Sequence, residues 1–255
     1  MTFGVVGCAS VRGDLSAALV VIGNEILSGK VTDTNTPFLA RELRCLGVSL
    51  ERVVVIPDDV GQIAADVSEF SRRYDVVFTS GGVGPTHDDI TMDGVAAAFG
   101  RPLVEHGELR RAIESFVGNR LNASHLKMAQ VPEGAELLVD DKLAFPTVVV
   151  ENVYILPGIP ELFQAKICSL RDRFRTRPYF LRQVLVRENE TRIAEFLNAT
   201  LSAFPELLLG SYPKLSDPEY RVRLTLESKD EAYVDRALAD LVERLPAGYV
   251  FRVEH

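Results

Sequence analysis

From Ala17 onward, short apolar runs alternate with longer stretches whose apolar residues recur every three or four positions. The runs suit strands buried on both faces and the stretches suit amphipathic helices, so their alternation predicts βαβ units on a mostly parallel sheet. The first predicted strand covers residues 17–22. Asn35 is placed to cap a helix with Pro37 in its first turn; Leu39, Leu43 and Leu46 share one face, and Gly47 ends it. A valine-rich second strand covers residues 49–56. Asp58 or Asp59 caps the next helix, whose Ile63, Val67 and Phe70 fall at i, i+4 and i+7, and residues 75–79 form the third strand. A glycine-rich turn, a short helix ending at Gly100 and a helix over 108–120 follow, whereas 122–141 has no readable period. Residues 146–151 and 153–156 read as a hairpin around Asn152, followed by a helix over 161–174.

The arginines at 171, 173, 175 and 177, just before Pro178, read either as a solvated helix end or as a linker, and the domain boundary is placed near Thr176. This divides the chain into an N-terminal extension over 1–16, expected to be flexible, a sheet domain over 17–176 and a smaller domain over 177–255. The smaller domain reads strand (180–187), helix (190–202), strand (207–211), strand (220–227), helix (230–245), strand (249–253). That order, βαββαβ, is the ferredoxin-like split unit of an α+β domain. It lacks the Gly-x-x-Gly loop and the aromatic ribonucleoprotein signature of RNA-binding modules.

Composition narrows the function classes. With 36 acidic against 28 basic residues the formal net charge is -8, which disfavours non-specific attraction to nucleic acid or to an anionic membrane. Cys8, Cys45 and Cys168 fit neither a disulfide framework nor a zinc spacing, and Cys45 is expected in the core between Leu43 and Leu46. No basic stretch leads into an apolar segment near the start, and no later window holds about 18 uninterrupted apolar residues. A cytoplasmic protein is expected.

The chemistry is concentrated in Gly81-Gly82-Val83-Gly84-Pro85-Thr86-His87-Asp88-Asp89-Ile90-Thr91, between a predicted strand and a helix. In a parallel sheet that turn lies at the carboxyl ends of the strands, where ligands bind, and its glycines let backbone N–H groups approach an anion. It is not a Rossmann fingerprint, because His87 stands where the third glycine belongs. Nor is Gly23 to Val31 a P-loop, since the glycines are one residue too far apart and Val31 replaces the hydroxyl. Asp58 and Asp59 follow strand two, and Asp88 and Asp89 follow strand three. Each pair could cap its helix, or the two could converge to share a magnesium-type cation with substrate phosphates.

The glycine loop resembles that of the MoaB/Mog molybdopterin-binding family, with Ile56-Pro57-Asp58-Asp59 before it and Leu156-Pro157-Gly158-Ile159-Pro160 after it. Gly23-Asn24-Glu25-Ile26-Leu27-Ser28-Gly29, running on to Asp33-Thr34-Asn35, is similar to the branch shared by the CinA N-terminal domain and the molybdopterin-binding-like domain of eukaryotic FAD synthase. In the second domain, Leu209-Gly210-Ser211-Tyr212-Pro213 and Arg221-Val222-Arg223-Leu224-Thr225-Leu226 look most like the FAD synthase version. The resemblance implies a three-layer sheet domain and one of two chemistries. Mog-type members adenylylate molybdopterin with ATP and magnesium; CinA-type and FAD-synthase-type domains are associated with hydrolysing the diphosphate of ADP-ribose or FAD. It also implies Asp58 and Asp89 as the catalytic and metal-binding pair. Gly23, Asp33, Asn35, Gly81, Gly82, Gly84, Pro157, Gly158 and Pro160 would bind the nucleotide or pterin; by their own positions, Asn24 and Glu25, just past strand one, either contact the ligand or form a structural turn, and Lys127 either neutralises a phosphate or is a solvated side chain. The implied cofactor is a divalent ion, magnesium or a transition metal such as cobalt or nickel, accompanied by a monovalent cation, and the implied assembly is a homo-oligomer. Ending at His255 without a synthase domain, the chain is not expected to make FAD by itself. By its position and near-neutral pKa, His87 is a candidate general acid.

Overall fold

The computed structural model describes residues 14–214 and 218–254; of the expected extension, residues 1–13 lie outside them. The chain divides into two compact units, with the break between Thr176 and Arg177.

The first unit runs β1 (Ser16–Ile22), α1 (Asn24–Leu27), α2 (Asn35–Cys45), β2 (Ser49–Ile56), α3 (Val60–Arg73), β3 (Val76–Ser80), α4 (Thr91–Phe99), β4 (Leu103–Glu105) and α5 (Gly107–Val117). It continues with α6 (Ala123–Lys127), β5 (Gln130–Pro132), β6 (Glu136–Leu138), β7 (Thr147–Val150), β8 (Val153–Leu156) and α7 (Pro160–Phe174). Its main sheet has the order β2-β1-β3-β8-β7-β6. The first four strands are mutually parallel, and β7 and β6 extend them antiparallel. β1 lies inside this sheet, which is why its apolar run is continuous rather than alternating.

Helices cover both faces. On one, Ala18, Val20 and Ile22 pack with Ile63, Val67 and Phe70 of α3, Val95 of α4 and Leu109 and Ile113 of α5. On the other, Ala17, Leu19 and Val21 pack with Leu39 and Leu43 of α2 and with Phe163, Ile167 and Leu170 of α7. Successive residues of β1 thus serve opposite layers, as strand geometry requires. Where α3 meets α4 the helices touch at Gly94, whose missing Cβ would collide with Ile63.

Several expectations are corrected. Asn35 does not cap α2: Asp33 Oδ1 does so, accepting from the backbone N–H groups of Asn35 and Thr36 at 2.9 and 3.1 Å. Cys45 is exposed, because it lies two positions past Leu43, about 200° round a helix whose buried stripe is Asn35, Leu39 and Leu43. The helix expected over 108–120 stops at Val117 and ends in a 3-10 turn over Gly118–Arg120, with Gly118 at φ +54°. The unreadable 122–141 region contains α6, β5 and β6, elements too short to set up a period.

The second unit runs β9 (Phe180–Val186), α8 (Glu190–Ala203), β10 (Leu208–Pro213), β11 (Val222–Ser228), α9 (Glu231–Arg244) and β12 (Val250–Glu254). Its sheet has the order β10-β11-β9-β12, the ferredoxin-like arrangement, and every neighbouring pair is antiparallel. One face, with Val184, Val186, Leu224 and Leu226, packs on Ile193 and Leu197 of α8 and on Val234 and Leu241 of α9.

Candidate ligand site at the strand ends

Because β2, β1, β3 and β8 are adjacent and parallel, the segments that follow them emerge along one sheet edge. They are Pro57 to Asp59, Gly23 to Glu25, Gly81 to Asp89 and Pro157 to Pro160, widely separated in sequence.

Direct contacts join these segments. Gly23 N donates to Ile56 O at 3.1 Å, and Asn24 N donates to Asp58 Oδ2 at 2.9 Å. Asp58 is therefore held at the end of β1 rather than on its own helix. The α3 cap is its neighbour Asp59, which accepts from Gln62 N at 2.8 Å. Glu25 folds back over Gly23, where a Cβ would collide with its carboxylate. Buried Asn35 bridges the next two segments, its Nδ2 donating to Ser80 Oγ and to Gly158 O, each at 2.9 Å, while its Oδ1 is buried without a partner. Asn35 thus fastens β3 to β8 across the edge.

The glycine loop is shaped by contacts that forbid side chains. Gly81 has φ +110° and faces the Ile22 carbonyl so closely that a Cβ would collide with it, and Gly82, at φ +64°, meets the Thr91 hydroxyl in the same way. Thr91 Oγ1, fully buried, donates to Gly81 O at 2.8 Å, and Thr91 N donates to Gly82 O at 3.0 Å, closing the loop onto α4. A Cβ on Gly84 would fall 2.6 Å from Asp89 Oδ2. Asp89 is not the cap of α4, which begins after Ile90 without a side-chain cap. Its Oδ2 accepts from Thr86 N at 2.7 Å and from Thr86 Oγ1 at 2.5 Å. The same Thr86 hydroxyl lies 2.6 Å from Asp88 Oδ1, so its single proton is shared between the two carboxylates, and this contact holds the Asp88 carboxyl below the usual range. Lys127 Nζ donates to Thr86 O at 2.7 Å and Asp89 O at 2.8 Å, so it pins the loop from α6 and leaves its positive charge beside it.

Of the residues singled out in the sequence, Gly23, Asn24 and Asp58 form one contact group. Asn35, Gly81 and Gly158 form another, and Gly84, Asp89 and Lys127 a third. Asp33 serves as a helix cap, Pro160 occupies the first turn of α7, and Pro157 joins β8 to Gly158. His87 points into solvent with its side chain 96% exposed, 3.8 Å from Asp88. Ser80, Thr86 and Thr91 are not among the residues the sequence singles out; a hydroxyl at the end of an otherwise apolar strand signals Ser80 and one at the start of a helix signals Thr91, while Thr86, inside the loop, has no such signal. A cavity of about 520 Å³, lined by Arg187, Lys214 and Arg221 among others, belongs to the second unit, and no strand-edge residue lines it.

A parallel sheet covered on both faces, with a glycine loop and carboxylates on the segments that follow its strands, defines an α/β protein of the kind whose ligands bind at the carboxyl ends of the strands. The chain belongs to the family described as "Probable molybdopterin binding domain", whose model matches residues 18–170. Residues 178–254 match "FAD synthase, middle domain". A protein of Archaeoglobus fulgidus is 35% identical over 89% of this chain and 96% of its own length. The "Probable FAD synthase" of Caenorhabditis elegans is 34% identical over 94% of this chain and 52% of its own length, so this chain spans about half of that relative. Among solved structures, the protein CinA of Thermoplasma acidophilum aligns with a TM-score of 0.58 and 30% identity, covering 63% of this chain and 98% of that one. Among the described residues, no helix is long and apolar enough to cross a membrane.

Proposed function

We propose that the first unit binds a nucleotide diphosphate of the ADP-ribose or FAD type at the strand ends and hydrolyses it with a divalent cation. The observation that supports this reading is that the glycine loop and two carboxylates, Asp58 on the segment after β2 and Asp89 within the loop after β3, follow neighbouring parallel strands, and that both carboxylates are fixed but not used up. Asp58 and Asp89 each anchor one oxygen, Oδ2, on a backbone N–H, and each keeps Oδ1 without a hydrogen-bond partner among the described residues.

That donor set fits a magnesium-type ion, which takes one or two carboxylates and completes its shell with water and substrate phosphate. It does not fit a transition metal held by three protein ligands, because no group of three His, Cys, Asp or Glu side chains is placed to hold one among the described residues. When bound, the ion would neutralise phosphate charge and acidify a coordinated water. The chain's own residues do the positioning. Gly81 N is already bonded to Leu156 O, so it is the backbone N–H groups from Gly82 to Gly84 that approach the diphosphate, where glycine removes the steric barrier. Lys127 holds the Thr86 and Asp89 carbonyls, keeping the loop in shape and placing a cation where negative charge grows as water attacks. In the reaction, the water oxygen bonds to one phosphorus and the bridging P–O bond breaks, releasing AMP and a second monophosphate.

Incubation with ADP-ribose, with FAD, and with ATP plus molybdopterin, each across a series of metals, tests the reading. AMP release from either of the first two supports it. Adenylyl transfer to molybdopterin would replace it with the transferase chemistry, and binding without turnover would make the domain a nucleotide sensor. Self-association, expected from the family likeness, is tested by light scattering, where a mass near 28.1 kDa at micromolar concentration would reject it.

A further inference from the structure

The second unit packs only one face of its sheet on helices, and the residues of the other face form a graded surface. By strand alternation that face carries Leu208, Gly210 and Tyr212 from β10, with Arg223 from β11 directly opposite Tyr212 in the ladder. Tyr212 does not stand away from the sheet: a Cβ on Gly210 would lie 2.7 Å from its Cε2 and 2.8 Å from its Oη. The ring therefore lies across Gly210, and only glycine leaves it room. The Arg223 guanidinium sits 5.5 Å from the ring centroid, and the ring remains 46% exposed.

One rung further along the same face, Lys214, Arg221 and Arg187 come into line. Lys214 N donates to Arg221 O at 2.7 Å, continuing the ladder beyond β10, and Arg187 follows Leu185, which is paired with Arg223. Asn189 Oδ1 accepts from Arg221 Nη1 at 3.2 Å, and Arg187 stacks 4.8 Å from the Phe251 ring centroid. These three cations line a cavity of about 520 Å³, a volume in the range that holds a small ligand, and Tyr212 and Arg223 lie one rung away along the ladder, outside its lining. Among the described residues, neither they nor Arg223 forms an ion pair with a carboxylate. Glu190 and Glu219 also line the cavity, so its lining carries three cations and two carboxylates among the described residues, in a chain of net charge -8.

We infer that this face is a second ligand site, taking a nucleotide whose planar base stacks on Tyr212 beside Arg223 and whose phosphates reach Lys214, Arg221 and Arg187. Both halves of such a ligand are matched, the ring by a stacking platform and the phosphate by charge-assisted donors. The proposal is independent of the strand-end site, because it lies within the second unit and uses none of the strand-end residues.

The chain contains no tryptophan, so Tyr212→Trp installs a single fluorescent reporter in the platform. In the full chain with EDTA present, ADP should quench that fluorescence saturably and pyrophosphate should compete without quenching. Arg221→Gln combined with Lys214→Gln should weaken ADP roughly tenfold or more, while Asp89→Asn leaves quenching unchanged. Tyr212, Lys214 and Arg221 are exposed and Asp89 is half-buried, and a melting curve matching the parent chain checks that each variant is folded. A strand-end site that proves inactive would not alter these readings. The proposal is overturned if millimolar ADP produces no quenching or if removing the two charges leaves the ADP affinity unchanged. Single-stranded oligonucleotide binding orders of magnitude tighter than ADP would also overturn it, by making the face a nucleic-acid surface.

Discussion

Asp89→Asn separates a structural carboxylate from a reactive one, and the loop geometry sets the size of each effect. Asp89 spends Oδ2 on the N–H and hydroxyl of Thr86, and no helix depends on it as a cap. An asparagine carbonyl can accept the same two hydrogen bonds, so the substitution removes the negative charge and little else. The cost in folding stability should be within roughly 1 kcal/mol, since the loop is partly exposed and each bond is worth about that much net. Asp89→Ala deletes both bonds and should cost about 1–2 kcal/mol. If Oδ1 helps hold the cation, Asp89→Asn should slow AMP release about a hundredfold or more, on the order of 3 kcal/mol in the barrier, and excess magnesium should restore only part of it. Thermal melts give the stability term, and initial rates across a magnesium titration give the catalytic term. A fully active Asp89→Asn would refute the assignment. A rate loss that merely tracks a destabilisation well beyond 1 kcal/mol would refute it as well, because the carboxylate would then be only a loop fastener.

Three further predictions concern the scaffold. Asn35→Ala removes the donor that joins Ser80 to Gly158; denaturant unfolding should show a loss of about 2 kcal/mol, and activity should fall with it because the β3 and β8 segments come apart. Gly94→Ala should destabilise by roughly 1–3 kcal/mol despite alanine's better helix propensity, because the new methyl collides with Ile63 Cβ and Cγ2, and Ile63→Val in the same chain should recover little, because valine keeps both atoms; thermal melts of the single and double variants check this. Asp75 accepts from Ser16 N and Oγ at 2.8 and 2.7 Å, and these bonds hold its carboxyl below the usual range. A depressed native pKa stabilises above the unfolded value and is lost as pH falls through the native one. Asp75→Asn should therefore cost a few tenths to about 1 kcal/mol at pH 7, given the exposure of the site, and the difference from the parent should vanish well below pH 4.

Local pattern was enough to determine the kinds of element and much of their order. The unbroken apolar run of β1, the stripe Ile63, Val67, Phe70 and the βαββαβ order of the second unit are short-range periodicities that any chain segment carries in itself. The glycine loop was equally legible, because positive φ at Gly81 and Gly82 leaves a compositional trace. What sequence spacing could not assign was which of two nearby capping-competent residues does which work. Asp59 rather than Asp58 caps α3, and Asp33 rather than Asn35 caps α2. That choice depends on which side chain points along its own helix and which toward another strand, and it is settled only when β2, β1, β3 and β8 lie side by side. Asn35 is 45 residues from Ser80 and 123 from Gly158, so its bridging role does not exist until the sheet has formed. The same holds for Tyr212 and Arg223, which face each other only across the β10–β11 ladder. Hydrogen bonds and stacking act over a few ångströms of space, and the sheet order, which is a property of the whole core, decides which distant residues come within that range.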